Sequence, residues 1–125
     1  MPEPHRQRIG KWGESAAAWY LEGKGYRIIA RNVRTPYGEI DLIASRGEGL
    51  VFVEVKTRTN LTFGHPESGV TARKLEHMIA AAQSYTLDHP DQAGQGWQID
   101  VIAIEGRPGK LRKDVDIQHF ENITQ

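Results

Sequence analysis

Residues 38–58 read GEIDLIASRGEGLVFVEVKTR, and this segment predicts the centre of a β-sheet. Apolar residues alternate with other residues in GEIDLIA and again in LVFVEVKTR, a pattern typical of two β-strands. The five residues between them, SRGEG, suit a hairpin connection. A hairpin must place the apolar residues of both strands on one side. The simplest such pairing sets Ile40 opposite Val55, Leu42 opposite Val53 and Ala44 opposite Val51.

The same pairing sets Asp41 opposite Glu54, with Cβ atoms about 4.5–5.5 Å apart. At roughly 5 Å and an effective dielectric near 20, two carboxylates repel each other by about 3 kcal/mol. One carboxylate should therefore titrate at a high pH unless a cation lies between them. Hard divalent cations prefer oxygen ligands. The pattern thus predicts a site for Mg²⁺ or Mn²⁺, with Asp41, Glu54 and the backbone carbonyl of Val55 as ligands.

Two further charged residues extend this predicted site. Lys56 points to the same side of its strand as Glu54, where it would orient a water nucleophile or neutralise a phosphate. Glu14 lies on a helical stripe with Ala17, Ala18 and Leu21 that should face the sheet. Glu14 is either a further acid of the site or a charge that favours the helix dipole. The simplest alternative for the whole motif is a solvent-facing strand with a cross-strand ion network.

The rest of the chain supplies elements on either side of the hairpin. The spacing of apolar residues and of glycine and proline predicts a loose arm at 1–9, helices at 10–24 and 71–88, strands at 26–34 and 97–104, a turn-rich loop at 62–69, and a possible edge strand VDIQHF at 115–120. The order α-β-β-β-α-β predicts a single α/β domain over 10–125, with a mixed central sheet flanked by helices.

Composition narrows the class of protein. The 125 residues include no cysteine, which excludes a disulfide framework and a thiolate zinc site. No export signal or membrane-spanning stretch stands out, so we expect a cytoplasmic protein without a membrane partner. The formal net charge is zero, which counts against non-specific coating of DNA but allows a local basic cleft.

The sequence gives less support to a zinc site, to Asp100 as a site residue and to base stacking by tryptophan. The five histidines show no ligand spacing typical of a helix-borne zinc site. Asp100 sits between apolar residues of a strand, and we interpret it as part of a local network in preference to a site residue. Trp12 and Trp97 offer stacking surfaces for bases, but packing against the core is the favoured interpretation.

Several segments together resemble one family: GKWGESAAAWYLEGKGYRIIARNVR (10–34), GEIDLIA, LVFVEVKTR, FGHPESGVTARK (63–74) and IDVIAI (99–104). They resemble the YraN-like bacterial proteins, which are similar to archaeal Holliday-junction resolvases of the PD-(D/E)XK nuclease superfamily. The resemblance implies a restriction-endonuclease-like core in which Asp41 and Glu54 bind metal and Lys56 is the catalytic lysine.

The resemblance also implies roles for residues outside the hairpin's acid pair. Glu14 would be the acid contributed by the first helix, and Arg58 and Lys74 would contact phosphate. Arg73, beside Lys74, is a further candidate for nucleic-acid binding. Ile40 stands where the superfamily's nominal motif has proline.

The leading hypothesis from the sequence is a metal-dependent endonuclease that hydrolyses phosphodiesters in structured or branched DNA. The first alternative is a non-catalytic nucleic-acid-binding module that keeps the fold. The second is a protein-interaction domain that pairs through the edge strand VDIQHF. A homodimer would suit two-fold symmetric junctions.

Overall fold

The computed structural model describes residues 5–47, 49–58, 70–94, 96–106 and 115–124. Its elements are α1 (His5–Gly23), β1 (Arg27–Thr35), β2 (Gly38–Arg46), β3 (Gly49–Arg58), α2 (Ala72–Asp88), α3 (Pro90–Ala93), β4 (Trp97–Glu105) and β5 (Asp116–Phe120). The predicted helices and strands are confirmed, including the edge strand. The predicted start of the first helix is wrong, because α1 already includes residues 5–9. The short helix α3 was not predicted, and the predicted loop at 62–69 lies outside the described residues.

The five strands form one sheet in the order β1-β2-β3-β4-β5. β3 and β4 are parallel, whereas the other neighbouring pairs are antiparallel. Parallel neighbours need a crossover, which runs here through α2. The α/β class and the mixed central sheet flanked by helices, expected of a restriction-endonuclease-like core, are thereby confirmed.

Helix α1 covers one face of the sheet. Its small residues Ala17 and Ala18 and its Leu21 are fully buried in a cluster with Leu42, Ala44, Val51, Val53, Ile102 and Ile104. Gly13 brings the helix close to β3, since a Cβ atom at this position would lie 3.0 Å from the Cβ of Thr57 and closer still to its hydroxyl. The glycine therefore sets the depth at which α1, including the next residue Glu14, sits on the strand.

Helix α2 covers the opposite face. Ala81, Ala82 and Tyr85 are buried against a cluster that includes Ile43, Phe52 and Ile99. The helix begins after Thr71, whose side chain accepts a hydrogen bond from the Lys74 N–H at 3.1 Å. Such a cap satisfies one of the unpaired N–H groups of the first turn. It also fixes where Lys74 stands relative to the sheet.

The register of the β2–β3 hairpin confirms two of the predicted pairs, Leu42 with Val53 and Ala44 with Val51. The prediction that Ile40 shares a face with Leu42 is wrong, because Ile40 packs in the α2-side cluster with Ile43. The strict alternation is broken beside Asn32 of β1, which adopts a φ of 51°. This left-handed conformation is uncommon for a residue other than glycine, and the register of β1 against β2 also shifts between Ile28 and Ala30.

Trp12, Trp97 and Asp100 have the structural roles that the sequence predicts. Trp12 packs against the α1-side cluster and Trp97 against the α2-side cluster, which confirms core packing. Asp100 is fully buried and accepts hydrogen bonds from Gln98, His119 and the Asn122 N–H. The local-network interpretation of Asp100 is therefore confirmed. Among the described helices, none combines the length and apolar character needed to cross a bilayer.

Candidate functional site

Asp41 and Glu54 lie next to the end of the β2–β3 ladder. The last residue pair of the ladder on this side is Leu42 with Val53. Beyond it, the N–H of Val55 donates to Oδ2 of Asp41 at 2.8 Å, so the Asp41 side chain takes the place of a backbone acceptor. This hydrogen bond fixes one carboxyl oxygen of Asp41 against β3 beside Glu54.

The two acids influence each other strongly. Burial is the largest cause that raises the pKa of Asp41, and the charge of Glu54 adds to it, bringing the pKa from 3.8 to about 7. A hydrogen bond between the two side chains and the charge of Glu14 act in the same direction, whereas the Val55 N–H opposes them. Carboxyl groups this close share a proton or bind a cation. The pair is thus a half-buried oxygen donor set of the kind that Mg²⁺ prefers.

Two lysines place positive charge beside this pair. Lys74 of α2 forms an ion pair with Glu54, with Nζ 2.6 Å from Oε1. Burial lowers the pKa of Lys56, and the nearby charge of Lys74 lowers it further, against the opposing effect of Glu54. Lys56 is thus held among two acids and a second ammonium group, where a phosphate would relieve the repulsion between the lysines.

Glu14 belongs to the same electrostatic group. Burial raises its pKa, a hydrogen bond from the Asn32 side chain lowers it, and the charges of Glu39 and Glu54 raise it. It is half-buried, and it also contributes to the raised pKa of Asp41. Asn32, which adopts a left-handed conformation, therefore also positions this third acid.

A cleft of about 500 Å³ opens between α2 and the tip of the β1–β2 hairpin, on the α2 side of the sheet. Asp41 and Glu54 line it together with Arg73 and Lys74. Its remaining lining residues are Tyr37, Gly38, Glu39, Ile40, Phe52, Val53, Thr71, His77, Met78, Ala81 and Ile99. The cleft thus joins an acidic pair, a basic helix edge and an apolar wall in one concave surface.

The structure brings together most of the residues that the sequence singled out. Asp41, Glu54 and Lys74 meet directly, whereas Arg58 lies near enough for its charge to lower the pKa of Lys56. The roles assigned to these residues, and the role of the Val55 carbonyl as a metal ligand, stay predictions. Sequence reasoning missed Tyr37 and His77, which line the cleft. No local signal marks them, since only the tertiary approach of α2 to the hairpin makes them neighbours.

A second group of possible metal ligands lies elsewhere, where β4 meets β5. Single ligand atoms of Asp100, His119 and Glu121 lie within 4.8 Å of one another, so this group can hold a metal ion. In the structure these atoms already have partners. Nε2 of His119 contacts Oδ2 of Asp100 at 2.6 Å, and Oε1 of Glu121 accepts from Tyr26 and Arg46.

This second group has the electrostatics of a structural network. Burial acts to raise the pKa of Asp100, but hydrogen bonds from His119, Asn122 and Gln98 outweigh it and hold the pKa below its usual value. A buried carboxylate with three donors is stabilised without a cation. A metal ion would have to displace the contact between Asp100 and His119.

The mixed sheet, its flanking helices and the acidic pair with Lys74 at the cleft define an α/β protein with a candidate site for a divalent cation. Residues 13–104 match the model of the uncharacterised protein family UPF0102. The chain belongs to this family, which comprises the YraN-like proteins that the sequence motifs resemble.

Three relatives illustrate how much of the chain is shared. A UPF0102 protein of Chloroflexus aurantiacus is 46% identical over 119 residues, covering 95% of this chain and 93% of its own. One from Syntrophomonas wolfei is 48% identical over 116 residues, covering 93% and 96%. One from Chlorobium limicola is 44% identical over 120 residues, covering 94% and 91%. Their names give the family and no activity.

Among solved structures, SfsA of Pyrococcus furiosus in complex with Ca²⁺ is similar at a TM-score of 0.42 and 16% identity. The match covers 92% of this chain and 63% of that protein. A similarity of this size transfers neither activity nor ligand.

Proposed function

We propose that this protein is a metal-dependent nuclease that hydrolyses phosphodiester bonds in structured or branched DNA. One observation carries the proposal: Asp41 and Glu54 share a cleft in which burial and mutual repulsion raise the pKa of Asp41 to about 7. Such a pair is costly without a function and is relieved by a divalent cation.

The donor set fits Mg²⁺ or Mn²⁺. Asp41 and Glu54 would hold the ion, with the carbonyl of Val55 as a further ligand, because all of these atoms are hard oxygen donors. When bound, the ion would supply the Lewis acidity and positive charge that phosphodiester hydrolysis needs.

The chain's own residues would handle the phosphate and the protons. Lys56 would stabilise negative charge developing on the phosphate or orient the attacking water. Lys74 would move from Glu54 to the phosphate as the ion takes its place. Arg73 on the cleft rim and Arg58 near Lys56 would contact flanking phosphates.

Cleavage of defined DNA substrates tests this proposal. Branched, flapped and single-stranded DNA would be incubated with the purified protein and Mg²⁺ or Mn²⁺. We expect cleavage that falls at least about a hundredfold in Glu54→Gln and Lys56→Met, a loss typical of groups that act on the transition state. Lys11→Met, which removes a lysine of α1, is the matched control. Cleavage that survives Glu54→Gln would remove Glu54 from the mechanism.

The ion pair between Lys74 and Glu54 favours a second candidate function. An ammonium 2.6 Å from Glu54 already neutralises part of the acidic pair, as expected of a non-catalytic nucleic-acid-binding module. Such a module would bind the same DNA substrates, leave them intact and show no uptake of Mn²⁺ in calorimetry.

Two properties accompany the nuclease proposal. A cytoplasmic location would give the protein access to bacterial DNA. A homodimer would present two clefts to a two-fold symmetric junction. Sedimentation with and without a four-way junction tests the dimer, which should form or tighten on the junction.

A further inference from the structure

The cleft has an apolar wall that phosphate chemistry does not need. Ile40, Phe52, Ala81 and Ile99 line it, and none of them is more than 7% exposed. Metal and phosphate interact with polar groups, whereas an apolar wall beside them suits a flat, weakly hydrated group of the same ligand. In a nucleotide, the group that fits this description is the base, which the sugar connects to the phosphate.

The rim of the cleft carries an aromatic side chain on a braced turn. Tyr37 is 53% exposed and lies between β1 and β2. Its N–H donates to Oγ1 of Thr35 at 3.1 Å, and that hydroxyl donates to the Gly38 carbonyl at 2.7 Å. These hydrogen bonds brace the backbone of the turn, and an exposed aromatic ring on such a turn offers a stacking surface for a nucleic-acid base.

The opposite rim, on α2, carries positive charge. Arg73 is exposed and Lys74 half-buried, and both line the cleft. His77, one turn after Arg73, continues the same edge of the helix. A DNA backbone lying along this edge would bring its phosphate toward Asp41 and Glu54 and direct its base toward the apolar wall.

We propose that this cleft binds a single unpaired nucleobase of DNA, with Tyr37 stacking on it and the apolar wall of Ile40, Phe52, Ala81 and Ile99 beside it. This inference deepens the proposed function and rests on it for the position of the phosphate. A base within continuous duplex is stacked on both sides and must first be extruded, at a cost of a few kcal/mol. The substrates are therefore single strands, flaps and junctions with unpaired nucleotides at the cleaved position.

Fluorescence of 2-aminopurine tests this inference separately from cleavage. A single-stranded DNA with one 2-aminopurine would be titrated with protein in Ca²⁺ buffer. We expect its fluorescence to be quenched on binding, and the matching duplex to bind about a hundredfold more weakly. Tyr37→Ala should weaken single-strand binding about tenfold and remove the quenching, whereas Tyr37→Phe should keep both.

Trp19→Ala is the matched control, because it removes another partly exposed aromatic residue, on the helix that covers the opposite face. Thermal unfolding confirms that each variant is folded. Equal binding and quenching by wild type and Tyr37→Ala, equal binding of duplex and single strand, or no binding at all would overturn the inference.

The outcomes also separate the inference from the nuclease proposal. Tyr37-dependent quenching without cleavage of any substrate in Mg²⁺ would support base binding and contradict the nuclease. Glu54-dependent cleavage that is unaffected by Tyr37→Ala would support the nuclease and overturn base binding.

Discussion

The ammonium group of Lys74 lies 2.6 Å from the carboxylate of Glu54, so the first turn of α2 supplies a positive charge to an acid on β3. The Thr71 cap fixes the start of the helix and therefore the place of this charge. The negative charge of Glu54 adds to the effect of burial on Asp41, whose pKa rises to about 7. A helix start and a strand pair are thus coupled through one ion pair.

Removing Lys74 should make room for a divalent cation at Glu54. Lys74→Met is expected to tighten Mn²⁺ binding about fivefold, or ~1 kcal/mol, since the Lys74 side chain is 42% exposed and solvent screens the ion pair. The same variant should weaken DNA binding, because it removes a basic group from the cleft. Isothermal calorimetry measures the first effect, with Arg73→Met as the matched control. Unchanged Mn²⁺ affinity in Lys74→Met would show that the ammonium does not compete with the cation.

Asp41 should make the metal-free protein less stable as the pH rises. Its pKa is about 7 in the fold and near 3.8 in the unfolded chain, so the folded state holds the proton longer. The contribution of Asp41 to stability should therefore be most favourable below pH 4, fall between pH 4 and 7, and level off above pH 7.

Asp41→Asn tests this pH dependence, because an asparagine oxygen still accepts from the Val55 N–H but carries no charge. In EDTA at pH 8 we expect a gain on the order of 1–2 kcal/mol, which disappears at pH 4. Urea unfolding measures it, and Asp116→Asn on the exposed surface of β5 should show no such gain. An equal gain at both pH values would argue against a raised pKa of Asp41.

Gly13 and Gly10 should respond in opposite ways to alanine. In a helix, alanine is normally favoured over glycine by up to about 1 kcal/mol. Among the described residues, a Cβ atom at Gly10 meets nothing within 4 Å, so Gly10→Ala should stabilise. Gly13→Ala would collide with Thr57 and is expected to cost about 1–3 kcal/mol. Urea unfolding of the two variants checks the pair, and equal stabilisation of both would exclude the close approach of α1 to β3.

His119 should matter for stability and not for metal binding at the cleft. Its side chain is 4% exposed and contacts the fully buried Asp100. His119→Ala leaves this carboxylate short of a partner and should cost about 3 kcal/mol. Gln118→Ala, on the exposed side of β5, should change stability by less than about 0.5 kcal/mol. Equal unfolding midpoints for the two variants would contradict the structural role of the buried pair.

The β2–β3 hairpin shows which residue pairs the local sequence pattern can predict. Alternation and a short connection determine the pairs Leu42 with Val53 and Ala44 with Val51, because a register shift by one residue would exchange the two faces. Ile40 departs from the pattern and packs on the α2 side, next to the stretch of β1 in which Asn32 adopts a left-handed conformation. Asparagine can adopt that conformation, but its presence in a sequence does not predict it.

Tertiary contacts were harder to predict. The ion pair of Lys74 and Glu54 and the place of Tyr37 at the cleft depend on how α2 crosses between β3 and β4. The sequence pattern predicts the helix and the strands but not how closely they approach one another. It also does not predict the start of α1 at His5, because the first turn has no acidic residue to mark it.

Mn²⁺ calorimetry of two matched variants tests whether Asp41 and Glu54 form the metal site. Glu54→Gln alters the proposed site, whereas Glu121→Gln alters the group formed with Asp100 and His119 and keeps the oxygen that accepts from Tyr26. We predict that wild type and Glu121→Gln bind Mn²⁺ alike and that Glu54→Gln does not bind it. Binding that survives Glu54→Gln and is lost in Glu121→Gln would exclude Asp41 and Glu54 as the metal site and place the metal where β4 meets β5.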